Sequence, residues 1–115
     1  MSTVRDLTAR WHELAPGVRM SPLFGDGAML NLLEFEPGAH VPEHAHPHEQ
    51  LGMVLEGELV LRIDDVEHRL RSGHGYQIPG GTAHEAWTEK GTSCRVLDVF
   101  QPVREDYRER IAAES

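Results

Sequence analysis

With 115 residues, the chain is long enough to bury a real core but leaves little room for a second one, so one folded unit over 1–115 is expected. Apolar residues at 39% and charged residues at 26% fit a globular protein and exclude a disordered or membrane-embedded one. A formal net charge of -8, with basic residues scattered singly among acids, excludes a nucleic-acid partner, and a lone cysteine, Cys94, excludes an intrachain disulfide or a thiolate metal cluster.

The first residues have helical spacing, since Val4, Leu7 and Trp11 fall on one face and Thr3 with Asp6 forms a weak capping box. Arg5, Asp6 and Arg10 stand where a signal peptide would carry its apolar core, and no later run approaches a bilayer span. No membrane partner and a cytoplasmic location are therefore expected. Strands are expected over Val18 to Phe24, Met29 to Glu36, Leu51 to Glu56, Leu59 to Ile63, Val66 to Arg71, Tyr76 to Ile78, Ala83 to Thr88 and Ser93 to Phe100. Turn signals separate them, among them "LEGE" at 55–58, "IDDV" at 63–66 and "PGG" at 79–81. Such short, regularly punctuated strands predict an all-β sandwich or barrel over about 18–100. The stretch from Gln101 to Ser115 predicts a helical tail, centred on 102–113, with Pro102 at its start and Tyr107 and Ile111 on one face. Cys94 reads as a small buried hydrophobe on the last strand.

The densest chemistry lies in "PEHAHPHEQ". In an extended chain His44, His46, His48 and Gln50 point the same way, and neighbouring neutral imidazoles chelate divalent metals. They need a further ligand from elsewhere. His84 supplies it, because Gly80 and Gly81 take positive φ cheaply and Pro79 fixes the turn that swings His84 over another strand. His40, His48 and Glu49 stand close enough to replace Gln50 or to support a ligand. His12, His68 and His74 stand alone among polar residues and are expected to be solvated.

These spacings resemble the cupins, small jelly-roll β-barrels with two characteristic segments. Gly38, five residues, His44-x-His46, three residues, Gln50, six residues and Gly57 match the first segment, with glutamine where cupins usually carry glutamate. Gly73, five residues, Pro79-x-Gly81, two residues and His84 match the second, with Thr88 where asparagine is usual. The resemblance implies a cupin jelly-roll barrel with His44, His46, Gln50 and His84 as metal ligands. An amide in place of the carboxylate leaves the centre one charge more positive, which favours polarising a substrate oxygen over redox chemistry.

The tail "VLDVFQPVREDY", together with "HAHPHEQ" and "ELAPGVRM", is similar to the small cupins of the pectin-degradation KdgF type. That resemblance implies conversion of 4,5-unsaturated monouronates from pectin or alginate into linear keto sugars. It also implies one divalent transition metal (nickel, zinc, iron or manganese), a carboxylated sugar as substrate, and a homodimer. Strand parity puts Asp98 and Phe100 on the inward face of the last strand with Cys94 and Val96, so Asp98 is the candidate general acid and base. The alternative for Asp98 is a structural pairing with Arg104 or a backbone turn. Arg104 is a candidate to grip a uronate carboxylate through paired hydrogen bonds; its alternative is solvation on the final helix. Phe100 is placed to contact a sugar ring, whereas Trp87 has the opposite parity to His84 and is expected to pack elsewhere. The rival functions are a metal-dependent cupin dioxygenase on a small aromatic or diketone substrate and a non-catalytic sugar-binding cupin.

Overall fold

The computed structural model describes residues 2–114. Among them run nine strands, β1 His12–Ala15, β2 Val18–Phe24, β3 Met29–Phe35, β4 His40–His44, β5 Glu49–Ile63, β6 Val66–Arg71, β7 Gly75–Ile78, β8 His84–Trp87 and β9 Cys94–Gln101, followed by one helix, α1 Glu105–Ala112. The strands pair antiparallel in the order β1-β2-β3-β9-β5-β8-β4, with β6 and β7 also on β5, and curl into a nearly closed barrel. This is an all-β barrel, as the strand and turn pattern predicts, with the architecture that the resemblance implies.

β5 holds the barrel together. Its residues from Glu49 to Gly57 pair with β9, and those from Val60 to Ile63 pair with β8, so one strand crosses from one side of the barrel to the other. Two strands separated by a turn at 55–58 were expected there; the strand is continuous over 15 residues. A bulge between Val54 and Glu56 and a φ of +79° at Gly57 bend the strand without ending it. A Cβ on Gly57 would lie 1.9 Å from the Ser93 carbonyl oxygen, so this crossing admits only glycine. The "IDDV" turn does form: Asp64 and Asp65 both take positive φ, the twist a tight β5–β6 hairpin needs.

The expected N-terminal helix is absent. The Asp6 carboxylate accepts the Thr8 amide at 2.9 Å and the Thr8 hydroxyl at 2.7 Å, a local turn that competes with helical hydrogen bonding. At the other end α1 starts later than expected, after Pro102 and with Arg104 at its N-cap, while Ser115, the end of the expected helix, lies outside the described residues. The core forms from the inward faces: on β9, Cys94, Val96, Asp98 and Phe100 are buried and the residues between them are not. Burial pushes the Cys94 thiol up to about 12, as befits a small core residue. Among the described residues no helix is long and apolar enough to cross a membrane.

Candidate metal centre and proton-transfer site

Three histidines converge inside the barrel mouth. His44, at the end of β4, sits opposite His84, at the start of β8, in the β4–β8 pairing. The Pro79-Gly80-Gly81 turn packs against the loop after His44. The Gly81 amide donates to the His46 carbonyl at 2.8 Å, and a Cβ on Gly80 would stand 2.2 Å from the Pro47 carbonyl oxygen. The ring centres of His44 and His84 are 4.3 Å apart and those of His46 and His84 are 5.0 Å apart. One nitrogen from each of the three lies within 4.8 Å of the others.

Backbone carbonyls set the histidine tautomers. The Nδ1 atoms of His44, His46 and His84 donate to the carbonyl oxygens of Pro42 at 2.9 Å, His48 at 3.2 Å and Thr82 at 2.8 Å. Each Nε2 therefore keeps its lone pair for the centre, the arrangement that orients metal-binding histidines. Burial above all, with the nearby Arg104 charge next, lowers the His46 pKa to about 4, and burial lowers that of His84. The His46 and His84 imidazoles are thus neutral near pH 7. Buried His84 Nε2 has no hydrogen-bond partner, and Gln50 Oε1 lies 3.1 Å from His46 Nε2. An orphaned lone pair and an amide oxygen facing a second nitrogen are acceptors with no donor between them, so the residues present fit a divalent cation.

Gln50 is the fourth group facing the histidines. Its Nε2 donates to Asp98 Oδ2 at 3.1 Å, which turns its Oε1 toward them. Of the alternatives, Glu49 is exposed and accepts from Gln77, His40 pairs with Glu85, and His48 is half-buried beside His46, with ring centres 5.5 Å apart.

Asp98 is buried directly behind Gln50. Its other oxygen, Oδ1, accepts the Tyr76 hydroxyl. Burial pushes its carboxyl up to about 7, against the opposing pull of the Tyr76 and Gln50 hydrogen bonds and the Arg104 charge. The structural pairing with Arg104 or a backbone turn is not what forms, because both carboxylate oxygens belong to Tyr76 and Gln50. Tyr76 was not anticipated from the sequence. Asn31 was not anticipated either: it sits opposite Asp98 in the β3–β9 pairing, fully buried, with its Oδ1 unpartnered in the same cavity.

Arg104 also lines this cavity, but not as a free cation. Its Nε and one terminal nitrogen donate to Asp106 at 3.2 and 2.7 Å, and the other terminal nitrogen donates to the Tyr107 hydroxyl at 2.9 Å. At 7% exposure it is not solvated, and the paired donors expected for a substrate are held by Asp106. The guanidinium stands 5.0 Å from the Phe100 ring centre, and Phe100 meets His46 edge-on at 5.5 Å. Trp87 packs edge-on to His40 at 6.4 Å, outside the cavity. Of the histidines expected to be solvated, His68 is exposed, His74 accepts the Arg71 amide at 3.0 Å, and His12 differs, since its ring is largely covered and pairs with Glu114. The free space between these groups is about 40 Å³, enough for two or three waters.

A protein-family model described as the cupin domain matches residues 31–100. The chain belongs to the cupin family. Among solved structures, this cupin is similar to KdgF from Halomonas sp., with a TM-score of 0.83 and 26% identity over 93% of this chain and 98% of that one. It is also similar to an RmlC-like cupin from Shewanella frigidimarina NCIMB 400, with a TM-score of 0.79 and 30% identity over 85% and 87% of the two chains. Dimethylsulfoniopropionate lyase DddW of Ruegeria pomeroyi is 33% identical over 75 residues, which are 65% of this chain and 47% of that protein. The chain spans less than half the length of the curated relatives it matches.

Proposed function

We propose that this cupin catalyses metal-dependent ring opening of 4,5-unsaturated monouronates from pectin or alginate breakdown, giving linear keto sugars. The observation that carries the proposal is Asp98. It is a buried carboxyl, raised to about 7 and hydrogen-bonded to the amide that faces the three clustered histidines. A carboxyl near neutrality both gives and takes protons at working pH. The likeness to KdgF along nearly the whole of that chain supports the same reading.

His44, His46, His84 and Gln50 would hold the ion, with nickel, zinc, iron or manganese all compatible with imidazole and amide donors. When bound, it supplies positive charge that stabilises an oxygen anion without a change of redox state. Ring opening is an isomerisation. The anomeric hydroxyl loses a proton as the bond from C1 to the ring oxygen breaks, and C4 gains a proton as the released enol becomes a ketone. Asp98 takes and delivers that proton, and Tyr76 and Gln50 hold its oxygens in place.

Arg104 binds the substrate carboxylate by exchange. The Asp106 carboxylate occupies the guanidinium fork, and a uronate carboxylate offers the same paired acceptors. Because the free space is far smaller than a sugar, entry requires this exchange to open the rim formed by Arg104 and Phe100. The neutral Gln50 disfavours the dioxygenase alternative, as no carboxylate stabilises an oxidised iron.

The test is loss of the conjugated-alkene absorbance when metal-loaded protein meets unsaturated monouronate, beside His84→Ala and Asp98→Ala. Accelerated loss in the parent alone supports the reading. No acceleration in a fully loaded sample rejects it.

A further inference from the structure

One row of inward positions crosses four strands of the barrel and carries polar groups at both ends. It reads Asn31 on β3, Asp98 on β9, Gly52 on β5 and Tyr76 on β7. The next row along the same strands, Leu33, Val96 and Val54, is apolar. Tyr76 and Asp98 serve one another across Gly52. Asn31, at the other end, serves nothing in the fold.

Asn31 is 0% exposed, and β3 is paired on both sides, so its amide completes neither a sheet edge nor a turn. Its Nδ2 donates only to the Met20 thioether at 3.7 Å, and its Oδ1 has no partner among the described residues. A thioether sulfur accepts and cannot donate, so that contact fixes the oxygen as the free end of the amide. A buried carbonyl left unpaired destabilises a fold, and a leucine like Leu33 would avoid that cost. Asn31 also lines the cavity shared by Asp98, His44, His84 and Arg104. A free acceptor in that wall is satisfied by a ligand that brings a hydroxyl.

The position of Asn31 says which hydroxyl. It stands directly opposite Asp98 in the β3–β9 register, which puts the two Cβ atoms about 5 Å apart. Both partners of Asp98, Gln50 and Tyr76, come from β5 and β7, so its β3 side is left without a donor. In the ring opening proposed above, C4 receives its proton from Asp98, and C4 has two carbon neighbours. C5 carries the carboxylate assigned to Arg104, whose guanidinium sits over Phe100, the next inward position along β9. C3 lies on the other side of C4, toward the row that Asp98 shares with Asn31, and carries a hydroxyl.

We propose that Asn31 is a specificity-determining residue whose carbonyl oxygen accepts the C3 hydroxyl of the unsaturated uronate, so that the site selects ligands that carry it. The choice of C3 rests on the ring-opening reading; the selection of a hydroxyl by the free carbonyl does not.

The test compares an unsaturated monouronate with its 3-deoxy analogue in metal-loaded parent, Asn31→Leu and Asn31→Val. The parent's kcat/KM should be at least about tenfold higher for the hydroxylated substrate, because the analogue leaves the buried carbonyl unpaired. In both variants that ratio should fall to about one, with melting temperatures near the parent's, since an apolar side chain replaces an unpaired amide. Valine, the smaller of the two, carries the test if leucine disrupts the barrel. Calorimetric Kd values in an Asp98→Asn background, which consumes neither ligand, should show the same preference and the same loss of it. A merely structural asparagine would affect both substrates alike, so an unchanged ratio in the variants overturns the inference, as does a parent that does not discriminate. No turnover in the parent, with the Kd preference present and lost in the Asn31 variants, rejects the ring-opening reading and supports the hydroxyl site. Neither turnover nor binding overturns both.

Discussion

Tyr76 donates its hydroxyl to Asp98 across Gly52, the single position on β5 that stands between them and carries no side chain. A Cβ there would lie 2.2 Å from Tyr76 Cζ and 2.4 Å from Asp98 Oδ1. Both neighbours sit on adjoining strands, so neither can withdraw without distorting the sheet. Gly52→Ala should cost about 1–3 kcal/mol, as overpacking does, and should separate the two groups. Denaturant midpoints measure the first effect. The second should appear as lost turnover that Tyr76→Phe reproduces without the same loss of stability.

Stability against pH separates the two buried titrating groups in metal-free protein. The Asp98 carboxyl stands at about 7 in the fold against an ordinary 3.8, so between those values the folded state holds the extra proton and stability falls as pH rises. His46, at about 4 against 6.5, acts oppositely: the unfolded chain holds the extra proton, and stability rises over that window. Asp98→Asn removes the falling contribution, which is at most about 1.4 kcal/mol per pH unit. Its stability should therefore climb more steeply than the parent's from about pH 4.5 to 6.5. Parallel curves would show that Asp98 titrates normally.

How far the site could be read from sequence depended on range. The histidine pair and the Pro-x-Gly-x-x-His turn are local patterns, so their spacing carried them. Asp98 followed from period-two alternation on one uninterrupted strand, Cys94 to Gln101. Tyr76 did not, because its role needs β7 to lie beside β5 and a glycine at 52 to leave room, and neither fact is local. Gly57 misled for a physical reason: positive φ ends most strands, and only the bulge beside it shows that β5 bends and continues. The N-terminal pattern failed because Asp6 satisfied Thr8 before a helix could. Asp106, two residues after Arg104, was in plain sight as a partner for its fork.

His84→Ala should separate metal binding from folding. In the metal-free chain the change removes a buried nitrogen that has no partner, so the lost packing is partly offset and the barrel should remain folded. Added nickel or zinc should raise the melting temperature of the parent, since an ion that binds only the folded state stabilises it, and should leave the variant's unchanged. Equal rises in both proteins would put the ion somewhere other than the histidine cluster.

Asp106→Asn tests the exchange at Arg104. Asp106 is more than half exposed, and such ion pairs contribute about 0.2–1 kcal/mol, so removing the competing charge should lower KM for an unsaturated monouronate about two- to fivefold. The value of kcat should change little. A raised KM would mean that Asp106 positions the guanidinium instead of yielding it.

Carrying out the reaction in deuterium oxide and following the product by proton NMR tests the central claim most directly. If Asp98 delivers the proton inside the barrel, metal-loaded protein should place one deuteron on a single face of C4, and Asp98→Asn should abolish both the acceleration and the stereochemical preference. Deuterium divided equally between the two faces, or consumption no faster than in buffer, would contradict a proton transfer made by Asp98 beside the histidine centre.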